Sequence, residues 1–186
     1  PNFTKIDTGA ITIMPGGHIS STCFDMDNDG EMDAVITNTS GMGYKNHPNL
    51  LYKNERNGHF KQITNTDYTK QILNVGLTGP FGDIDNDGDQ DLMNPNWMGT
   101  QFTLYNNDGY GNFENQNTLT QLYGSTNVFF DLNNNSFLDI IHFHEDMSRV
   151  YYNDGTGGFT GFETLNISCS YPNAILHNIA LGDADN

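Results

Sequence analysis

Two stretches of the chain carry carboxylates at a spacing that suits metal ligation. They are Asp25-Met26-Asp27-Asn28-Asp29-Gly30-Glu31-Met32-Asp33 and Asp83-Ile84-Asp85-Asn86-Asp87-Gly88-Asp89-Gln90-Asp91. On a tightly curled loop alternate side chains point inward, so positions 1, 3 and 5 converge their oxygens on one point. Glycine at position 6 permits the sharp turn, position 7 offers a backbone carbonyl, and an acid at position 9 closes the shell. Hard oxygen donors in this number favour calcium over zinc or copper, and magnesium tolerates the irregular geometry poorly. The expected ligands are Asp25, Asp27, Asp29 and Asp33 with the carbonyl of Glu31, and Asp83, Asp85, Asp87 and Asp91 with the carbonyl of Asp89.

A third copy is degenerate. Asp131, Asn133, Asn135 and Asp139 keep the spacing, with Phe137 in the carbonyl position and Ser136 in place of the glycine. Amide oxygens still ligate calcium, but less charge means lower affinity. A fourth copy opens with Asp183 and Asp185 and needs residues beyond Asn186, or another chain, to complete it. Asp, Asn and Gly also make good turns without any metal. That reading does not account for four like charges within nine residues.

The formal charge agrees. Lys and Arg total 7 against 23 Asp and Glu, a net −16. Such a polyacid repels itself unless cations gather its carboxylates. It excludes nucleic acid as a partner, which needs a basic surface. No run of about 18 apolar residues exists to insert in a membrane. Extracellular calcium modules bind at about 10⁻⁴–10⁻³ M, far above cytosolic calcium, so the expected compartment is outside the cell or on its surface.

The loops must be positioned, and a second landmark shows by what. Leu51-Tyr52-Lys53-Asn54 leads to Gly58-His59-Phe60, Leu104-Tyr105-Asn106-Asn107 to Gly111-Asn112-Phe113, and Val150-Tyr151-Tyr152-Asn153 to Gly157-Gly158-Phe159. Two landmarks in fixed order, each three times, mark an internal repeat. After each loop comes a short apolar run, at Asp33–Thr37, Asp91–Met93 and Asp139–Phe143, of the kind expected for a buried strand. The Leu-Tyr strand, a Gly- and Asn-rich hairpin turn and a strand opening with Phe follow. No helical period is sustained. The expected fold is all-β, with repeats of about 50 residues and four strands that fit blades of a β-propeller. The units are drawn at 24–80, 81–128 and 129–180, with 1–23 closing a preceding blade and 181–186 opening a further one. The chain is expected to be a segment of something longer, or to have ends that complete one another.

These residues resemble the FG-GAP and VCBS repeats, the calcium-loop blades of integrin-α-type propellers and of many surface proteins. Phe81-Gly82-Asp83 through Asp91-Leu92 is the best match, and the Leu-Tyr-x-Asn…Gly-x-Phe segments fit the same repeats. The resemblance implies a propeller whose cation loop joins consecutive strands of each blade. It does not imply one activity, since such repeats serve adhesion receptors, lectins, structural proteins and a few enzymes.

Other residues carry weaker signals. Asn-x-Ser/Thr sequons at Asn2, Asn38, Asn134 and Asn166 are candidate glycosylation sites, with Asn38 and Asn166 preferred. Cys23 and Cys169 either pair or stay as two buried hydrophobes. His142 and His144 alternate along a strand before Glu145 and Asp146. A solvated strand face accounts for them better than a zinc or catalytic site. Trp97 suits packing better than stacking on a sugar. No nucleophile elbow, phosphate loop or paired Cys-x-x-Cys appears, so no enzyme is expected. The leading expectation is a module that binds other protein chains, including copies of itself in a surface assembly or filament. A glycan-binding lectin is the alternative, and a hydrolase built on the same scaffold comes last.

Overall fold

A computed structural model describes residues 9, 11, 17–39, 47–72, 79–95, 101–120, 126–143 and 148–165. Each acidic loop is the connection of a hairpin. The first strands are β1 (Gly17–Phe24), β5 (Phe81–Gly82) and β9 (Thr126–Phe130), and each stops one residue short of its loop. The second strands, β2 (Asp33–Thr39), β6 (Asp91–Pro95) and β10 (Asp139–Phe143), begin on the position-9 aspartate. The closing rungs are the same three times over: Phe24 opposite Asp33, Gly82 opposite Asp91, and Phe130 opposite Asp139. Third strands are β3 (Leu50–Asn54), β7 (Gln101–Asn107) and β11 (Ser148–Tyr151). Fourth strands are β4 (Phe60–Ile63), β8 (Phe113–Thr120) and β12 (Glu163–Leu165). The result is three four-stranded antiparallel sheets, each with its strands in chain order. The strands before the loops belong to these sheets, so the unit boundaries drawn at 24 and 129 fall inside β1 and β9. The first sheet begins at Gly17.

The short apolar runs are explained by burial on both faces. In β6, Leu92 faces the first sheet, in a cluster with Phe24, Met26, Val35, Leu51, Tyr105 and Phe113. Its neighbour Met93 faces the third sheet, with Ile84, Leu104, Ile140, Tyr151 and Phe159. Successive side chains leave a strand on opposite faces, so a central sheet sandwiched by two others needs apolar residues at consecutive positions. The same division separates Ala34 from Val35 and Ile140 from Ile141. Each of the Val, Leu, Ile and Met side chains among them contributes about 1.5–3 kcal/mol on full burial.

One helical turn departs from the all-strand expectation. The helix α1 (Asp67–Lys70) starts from the N-cap Thr66, whose hydroxyl accepts from the Thr69 amide while the Thr69 hydroxyl accepts from that of Thr66. It carries the fully buried Tyr68 between the first two sheets, edge-on to Tyr105 at 5.4 Å.

The repeated asparagine of the second landmark binds sheet to sheet. Asn107 Nδ2 donates to the Met26 carbonyl of the preceding sheet at 2.7 Å and to Gln90 at 3.1 Å. Asn153 Nδ2 does the same to Ile84 at 2.7 Å and Leu138 at 3.1 Å. Asn54, in the first sheet, donates to Met32 at 3.1 Å within its own sheet. Gly111 lets the second sheet come this close, since a Cβ there would sit 3.1 Å from the Met26 sulfur. Asn107→Ala should therefore cost about 1–3 kcal/mol by leaving buried carbonyls unpaired. Asn54→Ala should cost clearly less, and urea unfolding of the two variants measures the difference.

Candidate metal centre

The three loops share one hydrogen-bonded scaffold. The position-1 carboxylate accepts the amides of positions 5 and 6: Asp25 from Asp29 (3.1 Å) and Gly30 (2.8 Å), Asp83 from Asp87 and Gly88 (both 3.0 Å), Asp131 from Asn135 (3.0 Å) and Ser136 (2.8 Å). Position 5 then accepts the amide of position 7 in every copy. Asn28, Asn86 and Asn134 at position 4 adopt φ of 56°, 59° and 58°, a left-handed conformation that asparagine tolerates. Ser136 takes φ 71° where Gly30 and Gly88 take 86° and 99°. The third loop thus keeps the turn without its glycine, at a cost in backbone strain.

Position 9 does more than close a shell. Asp33, Asp91 and Asp139 are fully buried. One oxygen of each accepts the position-2 amide, from Met26 (2.9 Å), Ile84 (2.9 Å) and Leu132 (3.0 Å). The other accepts the amide of the landmark asparagine, Asn54 (2.7 Å), Asn107 (2.8 Å) and Asn153 (2.9 Å).

Ligand oxygens of Asp25, Asp27 and Asp29 lie within 4.8 Å of one another in the first loop, and those of Asp83, Asp85 and Asp91 do so in the second. Asp33 and Asp87 fall outside these two sets. At position 3, Asp27 Oδ1 and Asp85 Oδ1 are shut from solvent without any hydrogen-bond donor. A carboxylate oxygen in that state is costly unless a cation faces it, so the donor set fits a hard divalent ion. The side chains at position 7 are engaged elsewhere, Glu31 with Arg56 (3.2 Å) and Asp89 with Asn28 (2.8 Å). In the third loop the Asn135 main-chain amide donates to Asp131 Oδ1 (3.0 Å) and Asn133 Oδ1 (3.1 Å), and the Phe137 amide at position 7 donates to Asn135 Oδ1 at 2.9 Å.

Without a cation the acids disturb one another. Burial pushes Asp91 up to about 7, the charges of Asp85 and Asp87 add to this, and the amides of Asn107 and Ile84 oppose it. Burial likewise raises Asp33, and Asp85 is raised by burial and then by Asp87.

Several sequence expectations meet a different environment. Asn38 is fully buried, and Nδ2, the atom a glycan would occupy, donates to the Pro48 carbonyl at 2.6 Å. It is therefore withdrawn as a glycosylation site. Asn134 is exposed at the tip of its loop, while Asn2 and Asn166 lie outside the described residues. His142 is not on a solvated face: it is 2% exposed, with Nδ1 2.8 Å from Asn127 Oδ1. Cys23 is exposed on β1 rather than a buried hydrophobe. His144, Glu145, Asp146, Trp97, Cys169, Asp183 and Asp185 also lie outside the described residues.

Sequence reasoning missed the links between loops. Asn28 Nδ2 reaches the Gly88 carbonyl (3.4 Å) and Asp89 (2.8 Å) of the second loop, and Asn86 Nδ2 reaches the Ser136 carbonyl (3.0 Å) of the third. The signal was the invariance of asparagine at position 4 across all three copies. Lys53 was missed too. It ion-pairs with Asp27 and, at 3.3 Å, with Asp29.

Residues 25–94 match the FG-GAP-like repeat family. No curated protein matches the chain. Among solved structures, the chain is similar to an Agrocybe aegerita lectin described as recognising non-reducing terminal N-acetylglucosamine. The TM-score is 0.57 at 21% identity, over 86% of this chain and 41% of the lectin. It thus spans less than half of that protein, and the likeness is one of fold. A weaker similarity, TM-score 0.42 at 18% identity, covers 95% of this chain and 11% of a chain of the Photorhabdus luminescens Tc holotoxin pore.

The raised Asp91 gives a pH test. Its native carboxyl keeps its proton to about 7, whereas the unfolded one loses it near the ordinary aspartate value of 3.8. Between these limits the native state binds more protons, so stability falls as pH rises. The melting temperature in chelator should drop between about pH 5 and about pH 7.5. Calcium should reverse the trend at the upper end, because it binds the ionised ligands.

Proposed function

We propose that the protein is an extracellular interaction module whose sheets are blades of a β-propeller and whose acidic loops are built around structural cations, calcium among them. The observation that carries this reading is the pair of buried, donorless oxygens, Asp27 Oδ1 and Asp85 Oδ1, each at the centre of a hairpin loop. A cation there neutralises the acids and pins two strands at a fixed rung. The FG-GAP-like match over residues 25–94 supports it. The low affinity usual for such extracellular modules supports a calcium-rich compartment. No catalytic role is proposed.

Its partners on this reading are further sheets of the same kind, in the same molecule or in a neighbouring copy. The position-2 side chains Met26 and Ile84 are 1% and 0% exposed beneath the sheet that follows, while Leu132 in the third sheet is 40% exposed. Glycan binding is a second reading, favoured by the fold shared with a lectin.

Chelation should lower the melting temperature markedly, and an unchanged melt would sink the structural-calcium reading. Asp85→Ala should destabilise the calcium-loaded protein more than Asn133→Ala, since it removes a charged ligand rather than an amide. Sedimentation separates the two kinds of partner. Concentration-dependent growth that Leu132→Lys abolishes identifies sheets as the partner, whereas saturable binding of N-acetylglucosamine to a monomer identifies a glycan.

A further inference from the structure

The two acidic loops have nearly the same sequence but not the same surroundings. The residue just before the landmark asparagine differs in each sheet: Lys53, Asn106 and Tyr152. In the first sheet the Lys53 ammonium pairs with Asp27 Oδ2 and lies 3.3 Å from Asp29 Oδ2. The Asp27 side chain is 9% exposed and that of Lys53 30%, so a sheltered carboxylate is capped by an ammonium at the edge of the loop. Arg56 reinforces it, with Nε 3.2 Å from Glu31 Oε1 and Nη2 donating to the Asp29 carbonyl at 3.3 Å. The chain holds just 7 Lys and Arg, and two of them serve this one loop.

The second loop has no such help. Among the described residues no basic side chain is ion-paired with it. Asn106 stands where Lys53 stands and bonds to Asp85 through its side chain. Both Asn106 Oδ1 and Asp85 Oδ1 are left buried without a donor. An unpartnered carboxylate oxygen shut from water, Asp85 Oδ1, is what a cation would satisfy. In the third sheet, Tyr152 turns its hydroxyl to Glu163 at 3.4 Å and adds nothing to its loop.

We infer that Lys53 is the resident cation of the first loop, so that this loop folds on an ammonium group while the second loop takes the calcium. A lysine and a divalent ion cannot share the same carboxylates without strong repulsion, so the metal must displace Lys53 or go elsewhere. The first loop still holds an unpartnered ligand, Asp27 Oδ1, and removing the lysine opens it as a second site. The inference rests on the calcium reading for the second loop and adds which loop is metal-dependent and why.

Calorimetric titration of the whole chain with calcium chloride tests it. Wild type should bind one ion per chain, Lys53→Asn two, and Asn106→Lys none. Lys53→Asn should also melt lower than wild type in chelator and regain the loss when calcium is added, which shows that the variant folds. Two sites in wild type, unchanged by Lys53→Asn, would overturn the role of Lys53 and leave the calcium reading standing. No binding by either protein would overturn both.

Discussion

Everything in this fold hangs on one buried carboxylate used three times. Asp33, Asp91 and Asp139 each clamp two amides, one from the start of the acidic loop and one from the end of the third strand. A carboxylate fully shielded from water is costly unless its oxygens are satisfied, and here two main-chain donors do so. The clamp sets the loop's curl, fixes the first rung of the hairpin and places the landmark asparagine. In the second and third sheets that asparagine then turns its amide toward the preceding sheet. Loop geometry, strand register and sheet packing thus share a single point of attachment in every repeat.

The charge pattern follows from that geometry. Once the loop is curled, positions 1 and 3 face one another, with position 5 in the first loop or position 9 in the second, and mutual repulsion has to be relieved. Backbone amides relieve part of it at positions 1 and 5, but at position 3 of the first two loops one oxygen, Asp27 Oδ1 or Asp85 Oδ1, is left without a donor. Its burden falls on whatever cation is at hand, from the side chain of a neighbouring strand or from solution. Near-identical loops can therefore differ in their dependence on metal through one residue on β3 or β7, outside the loop itself.

The periodic features of the molecule were legible in the sequence because they recur. The acid spacing located the loops, the apolar runs located β2, β6 and β10, and the Leu-Tyr landmark located β3, β7 and β11. The rest is fixed by contacts made once. At four residues α1 is too short to show a helical period, and only Thr66 and Thr69 mark it. β1 reads as a polar, mixed stretch, so the first unit was started seven residues late. Asn38 fits a surface sequon, yet its side chain turns inward to a carbonyl ten residues away. The double duty of Asp91 was hidden for a related reason. A ligand role is visible within nine residues, whereas its second partner, Asn107, is 16 residues downstream.

The links between sheets run in one sense only. At both junctions between described sheets the landmark asparagine, Asn107 or Asn153, donates backward to the preceding sheet, and the position-4 asparagine, Asn28 or Asn86, donates forward to the next loop. No sheet can be turned over and still satisfy both, so a stack of them has a direction and lacks internal two-fold symmetry. Because each sheet carries one half of the junction on either side, a whole repeat can be inserted or deleted without inventing a new contact. Length is therefore the most freely varied property of such an architecture, and gene duplication within a repeat tract is its natural mode of change.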